Sequence, residues 1–185
     1  MNGANELLRK SEEVLALLRR HRVDAVVIGA VALAAHHYVR MTNDLDLGVN
    51  AEIGTLRRIL VSLRESGLQA ELHEPDQSDP LGGVIDVRGS FGLIQIISYA
   101  NRFPAVIEDA LRLSNLPVEE GSPLRVVPLP HLIALKLYAG GYKSKADIVE
   151  LLIRNPELHL DEVRAVCARY QLEGVDELIT EARSV

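Results

Sequence analysis

The order of apolar patterns along the chain predicts an α+β protein: a mixed sheet flanked by helices, followed by a helical C-terminal tail. Two observations carry this. Short apolar runs of strand length, bounded by turn residues, fall between residues 25 and 99 and alternate with helical periodicities. From residue 131 onward only helical periodicities remain. The expected organisation is an α+β core over residues 1–128 and a helical region over 129–185 packed on it.

Residues 5–21 read as a helix, with Leu7, Leu8, Val14, Leu15 and Leu18 on one face. AVVIG (25–29) reads as a short buried strand ending at a glycine, and VALAAHHYV (31–39) as an alanine-rich helix. LDLGV (45–49) is a strand. Ile53, Leu56, Leu60 and Leu63 step by three and four, giving an amphipathic helix that Gly67 ends. LQAELH (68–73) is a strand, and EPDQSDP (74–80) is an acidic, proline-bounded loop that either covers a site or is plain surface. GGVIDVRGSFGLIQIISYA reads as two strands meeting near Gly89 and Ser90, a hairpin signal. FPAVIEDALRL is a helix, and 114–130 is a proline-punctuated link with LRVVP as one short strand. In the tail, HLIALKLYAG is a helix stopped by Gly140 and Gly141, and KADIVELLI is one ended at Asn155 and Pro156. LDEVRAVCARY and VDELITEA complete it, each with a single apolar face.

Composition narrows the function classes. At 185 residues, 48% hydrophobic and 25% charged, the chain can bury a core without disulfides or structural metal. The lone Cys167 cannot close an internal disulfide, which fits a reducing, cytoplasmic setting. MNGANELLRKSEEV lacks the apolar stretch of a signal peptide, and no apolar run approaches the roughly 20 residues of a membrane span, so no membrane partner is expected. A net charge of −6 disfavours nucleic-acid binding by the whole surface, and 4% aromatics disfavour a broad base-stacking platform. A local basic patch remains compatible with a nucleotide or an RNA end.

The segment VRMTNDLDLGVN (39–50) carries the chemistry. In a strand, Asp44 and Asp46 share one face and Leu45, Leu47 and Val49 the other. Neighbouring carboxylates repel, and strand-interior aspartate is disfavoured. One resolution is Mg²⁺, or Mn²⁺ in its place, which takes carboxylates and substrate phosphates at about 2.0–2.1 Å. The other is a strand-end turn, with Asn43 and Asp44 capping and Asp46 solvated. Upstream, Gly29 and Ala30 join a strand to a helix, where backbone N–H groups admit phosphate oxygens or where strand and helix simply pack tightly. Arg40 and Thr42 immediately precede the pair, and Arg40 can offset its charge or fork a phosphate.

The stretch VIGAVALAAHHYVRMTNDLDLGV resembles the nucleotidyltransferase superfamily that includes DNA polymerase β, and in particular the small bacterial branch of abortive-infection nucleotidyltransferase toxins. That branch has an apolar strand, a small-residue pair, a helix and then R-x-T-x-D-[IL]-D; Gly29, Ala30, Arg40, Thr42, Asp44 and Asp46 match it. LIALKLYAGGYKSKADIVELL is similar to the branch's later lysine helix, loop and [KR]-x-x-D-[IL] helix, which places Lys136, Lys143, Ser144, Lys145 and Asp147. The resemblance covers residues 23 to 153. It implies a nucleotidyltransferase-like mixed sheet and transfer of a nucleoside monophosphate from a nucleoside triphosphate to a hydroxyl. It implies two Mg²⁺ ions held by Asp44, Asp46 and a third carboxylate on a neighbouring strand, with Lys136, Lys143 and Lys145 facing phosphates or an acceptor. It also implies a protein, RNA or small-molecule acceptor and a cognate antitoxin.

One position departs from the pattern. The third carboxylate's slot falls in LIQII (93–97), which carries Gln95. Asp86 is the nearest substitute, expected across the hairpin from the neighbourhood of residue 93. Either Asp86 is the third ligand, or the site lacks one and the chain is a nucleotide- or partner-binding module. Among other candidates, one of His36 and His37 is expected to be packed and the other exposed, Cys167 to be core, Tyr138 and Tyr142 to pack in core or rim, and Arg57 and Arg58 to be a solvated face. Asp147 either favours its helix's N-terminus or pairs with Lys136.

Overall fold

A computed structural model describes residues 3–76 and 81–184; part of the acidic loop, residues 77–80, lies outside the described residues. In chain order the elements are α1 (Gly3–Arg20), β1 (Ala25–Ile28), α2 (Gly29–Ala35), β2 (Asp44–Val49), α3 (Ile53–Glu65), β3 (Gln69–His73), β4 (Gly83–Gly89), β5 (Gly92–Ser98), α4 (Pro104–Leu113), α5 (Leu129–Ala139), α6 (Gly141–Arg154), α7 (Leu160–Arg169) and α8 (Val175–Ala182).

The five strands form one mixed sheet in the order β1-β2-β5-β4-β3. β2 and β5 run parallel, and every other pair is antiparallel. The period-2 alternation decides what each face does. Leu45, Leu47 and Val49 of β2, with Ile85, Val87, Ile94 and Ile96, are buried beneath Val14, Leu15 and Leu18 of α1 and Leu56, Ile59 and Leu63 of α3. The opposite face is covered only in part. Val26 and Ile28 of β1 join α2, α4 and the four tail helices in a second core that includes Ile107, Ile133, Ile148, Cys167 and Ile179. α5 lies at its centre, with Leu129 through Leu135 all buried, as expected of a helix apolar on every side. Over β3 that face is bare: Gln69, Glu71 and His73 are exposed. The edge of the second core therefore runs along β2 and β5.

Three elements differ from the sequence reading. α2 stops at Ala35, because His37 adopts φ 67° while its N–H reaches the carbonyl of Ala34 and that of Tyr38 the carbonyl of Leu33. This is a Schellman closure with histidine in the left-handed position. LRVVP forms only bridges: Val27 donates to the Arg125 carbonyl at 2.8 Å and Val127 to the Val27 carbonyl at 3.0 Å. Pro123 and Pro128 flank it and offer no N–H to extend a ladder. The loop between the lysine helix and the next shrinks to Gly140 at φ 67°.

Candidate active site

The strand register sets four polar side chains in one row across the sheet. Asp46 of β2 faces Gln95 of β5, Gln95 faces Asp86 of β4, and Asp86 faces Glu71 of β3. The parallel β2–β5 pairing and the two-residue turn closed by Gly89 and Gly92 fix this row. Asp86 therefore lies opposite Gln95, two residues beyond the expected neighbourhood of 93. A shift of two preserves the face, so Asp86 shares the face of Asp44 and Asp46.

Asp46 sits where the second core meets the open face. Its Oδ1 is buried with no hydrogen-bond partner. Its Oδ2 lies against the start of α2, where a Cβ on Gly29 would come within 1.7 Å of it. Burial, reinforced by the neighbouring charge of Asp44 and opposed by Lys136, pushes the Asp46 carboxyl up to about 6. Asp44 is half-buried, and its backbone N–H donates to Thr42 Oγ1 at 3.3 Å. Ala30 lies in the first turn of α2, beside Gly29.

The two cations nearest the motif meet a third carboxylate. Arg40 Nη1 donates to Asp147 Oδ1 at 2.7 Å and Lys136 Nζ to Asp147 Oδ2 at 2.6 Å. Arg40 thus anchors on α6, and Lys136 is the cation whose charge bears on Asp46. Lys143 and Lys145 are exposed on the first turns of α6. Asp86 is buried and already engaged: Gln95 Nε2 donates to its Oδ1 at 2.8 Å, Arg88 pairs with Oδ2, and His73 Nε2 lies 3.5 Å from Oδ2. His36 is packed, with Nε2 2.8 Å from the Val127 carbonyl, and His37 is exposed. Cys167 is buried. Tyr138 stacks on Phe103, whereas Tyr142 is 96% exposed, outside the packing expected of it.

Sequence reasoning missed two features: the contact of Gln95 with Asp86, and the use of both Asp147 oxygens. The first needs the hairpin register and the second a contact across 107 residues, and neither leaves a local signal.

The donor set suits one hard divalent cation. Asp44 and Asp46 offer oxygens on one face, and the orphaned Asp46 oxygen lacks the hydrogen bonds a buried carboxylate otherwise requires. Among the described residues no three His, Cys, Asp or Glu side chains come together at metal-binding spacing. A second ion would rely on Asp86, which Gln95 and Arg88 hold.

The raised Asp46 carboxyl gives a first prediction. An unfolded aspartate ionises near 4, so between about 4 and about 6 ionisation favours the unfolded chain, and stability falls as pH rises through that window. Asp46→Asn removes this cost. Without divalent metal the variant should melt roughly 2–6 °C above the parent at pH 7.5, the full shift being discounted for partial exposure. The two should converge near pH 4. Equal melting temperatures from pH 4 to 8 would contradict the assigned shift.

No protein-family model matches the chain, and no curated protein does. Among solved structures, the chain is similar to the antibiotic-resistance factor ANT(2'')-Ia in solution, with 16% identity, TM-score 0.56, and coverage of 91% of this chain and 92% of that one. It is also similar to ANT(2'')-Ia in complex with adenylyl-2''-tobramycin, with 15% identity, TM-score 0.52 and coverage of 89% and 96%. An antigenic nucleotidyltransferase-like protein from Paracoccidioides brasiliensis matches at 15% identity and TM-score 0.53, covering 90% and 87%. No helix among the described residues is long and apolar enough to cross a membrane. The mixed sheet, the strand order and these neighbours agree: the chain has the nucleotidyltransferase-like fold.

Proposed function

We propose that the chain is a metal-dependent nucleotidyltransferase that moves a nucleoside monophosphate from a nucleoside triphosphate to a hydroxyl. The observation that carries this is the Asp44–Asp46 pair on one face, with an unpartnered buried Asp46 oxygen pressed against the Gly29 turn. Asp44 and Asp46 would hold Mg²⁺ or Mn²⁺, which when bound neutralises charge on the triphosphate and orients the reacting oxygens. Gly29 and Ala30 give phosphate oxygens access to backbone at the start of α2, and Thr42 fixes the Asp44 backbone. Lys136 offsets charge beside the pair, and Lys143 and Lys145 extend positive charge along the α6 rim. In the transfer, the acceptor oxygen bonds the α-phosphorus as the α–β bridge breaks. Pyrophosphate leaves, and the acceptor's proton passes to water over the open half of the sheet.

In this reading residues 1–128 supply the carboxylates and residues 129–185 the lysines. The exposed face over β3 leaves room for an acceptor. The neighbour solved with adenylyl-2''-tobramycin supports a small-molecule hydroxyl as acceptor; the motif likeness supports RNA or protein acceptors and a toxin held by a cognate antitoxin. Incubation with labelled nucleoside triphosphates and Mg²⁺ against aminoglycoside, RNA and protein acceptors tests the activity. Label on none of them would refute it.

Gln95 favours a second reading, a nucleotide-binding module with impaired catalysis. Its amide brings no charge and is bonded to Asp86. Two dications at close range need carboxylates to offset their repulsion. Gln95→Asp should raise metal stoichiometry with a bound nucleotide analogue and speed transfer about tenfold, while Asp86→Asn should change transfer less than threefold. The reverse pattern would make Asp86 the third ligand.

A further inference from the structure

Two cations converge on one buried carboxylate beside the site. Asp147 is 2% exposed, and each of its oxygens takes a different partner, Arg40 on Oδ1 and Lys136 on Oδ2. One cation would offset this carboxylate, so the trio carries a surplus positive charge. The two are not equivalent. A guanidinium is a rigid planar fork, whereas an ammonium is a compact charge on a flexible stem that rotates to new acceptors. Lys136 is also the cation whose field reaches Asp46.

We propose that Asp147 is a positioning residue: it parks Lys136 beside Asp46 in the nucleotide-free protein, and Arg40 remains on Asp147 when Lys136 swings to the triphosphate. The inference rests on the nucleotidyltransferase reading above. The charge balance explains why two cations are needed. With Arg40 in place, departure of Lys136 leaves a neutral buried pair; without it, departure would strand an uncompensated carboxylate in the core, and the lysine would be locked. No covalent bond changes in the swing; one hydrogen-bonded ion pair exchanges for another.

The test is a double-mutant cycle on transfer, with nucleotide affinity measured alongside. Asp147→Asn preserves size and still accepts from Arg40. It should lower kcat at least tenfold while KM for the nucleotide changes less than threefold. In a Lys136→Met background the same substitution should cost less than a further twofold. An equal penalty in both backgrounds, or an unchanged kcat, overturns the proposal while leaving the nucleotidyltransferase reading intact. The unmutated protein gives a second readout. In ¹⁵N-lysine-labelled protein, the Lys136 ammonium resonance should move on adding a non-hydrolysable nucleoside triphosphate with Mg²⁺, and not with Mg²⁺ alone. A resonance that stays in place with the nucleotide bound overturns the swing, and failure of the parent to bind or transfer overturns the broader reading and the swing with it.

Discussion

Asp44→Asn and Asp46→Asn should each lower kcat/KM for nucleotidyl transfer by on the order of 10³-fold or more, for charge rather than folding reasons. The amide matches the carboxylate in size and keeps one oxygen, so packing against Gly29 and Thr42 survives. What goes is the negative charge that would hold a dication against the triphosphate. The two variants separate in their secondary effects. Asp46 is the more deeply set of the pair and carries the raised carboxyl, so its amide should make the metal-free protein more stable while leaving it inactive. Asp44 is half-buried and tied through its backbone to Thr42, so its amide should leave melting nearly unchanged. Inactivity together with higher stability cannot come from unfolding. Calorimetric titration with a non-hydrolysable triphosphate completes the test: the parent should bind only with Mg²⁺ or Mn²⁺, and neither variant should show that dependence. Unchanged metal-dependent binding in both variants would remove Asp44 and Asp46 from the site.

Gly29→Ala should also be strongly damaging, by a different route. Gly29 has φ 67°, a conformation that costs an L-residue about 1–2 kcal/mol. Steric conflict adds to this. The new methyl carbon would stand 1.7 Å from Asp46 Oδ2 and 2.7 Å from its carboxyl carbon, far inside van der Waals contact. The carboxylate must leave its position or the start of α2 must move away from β2. Either breaks the alignment of Asp46 with the α2 turn, so transfer should fall at least about 10²-fold and stability by about 2–4 kcal/mol. Gly54, which has open space around its Cβ position, is the control: Gly54→Ala should leave both nearly unchanged. A Gly29→Ala protein with parental activity would show that the close approach does no work in the site.

The shared face of Asp44 and Asp46 was legible in the sequence because strand alternation is a local rule, and so was the apolar half of β2 that buries it. That one of His36 and His37 packs and the other is exposed was legible, though not which, and Pro156 made the helix stop at Asn155 legible. The partner of Asp86 was not, because it depends on whether the hairpin turn is centred on Gly89–Ser90 or Ser90–Phe91, and its face relative to Asp44 rests on the non-local pairing of β2 with β5. The end of α2 was misjudged because a histidine, where glycine is usual, takes the left-handed closing position. The sequence leaves Arg40 either to offset the adjacent aspartates or to fork a phosphate, and gives no sign of its ion pair with Asp147, 107 residues away. Such a contact is set by how α6 meets the segment that follows α2, which no local pattern encodes. The half-open face was hidden too, since β3 alternates polar and apolar residues whether or not helices cover its polar side.

The most direct test is a crystal of the protein soaked with a non-hydrolysable nucleoside triphosphate and Mn²⁺, with anomalous scattering recorded at the manganese edge. An anomalous peak at the Asp44 and Asp46 carboxylates, with the nucleotide bound beside them, is the predicted result. Manganese and nucleotide seated elsewhere, or no nucleotide at concentrations that saturate binding in solution, would contradict it.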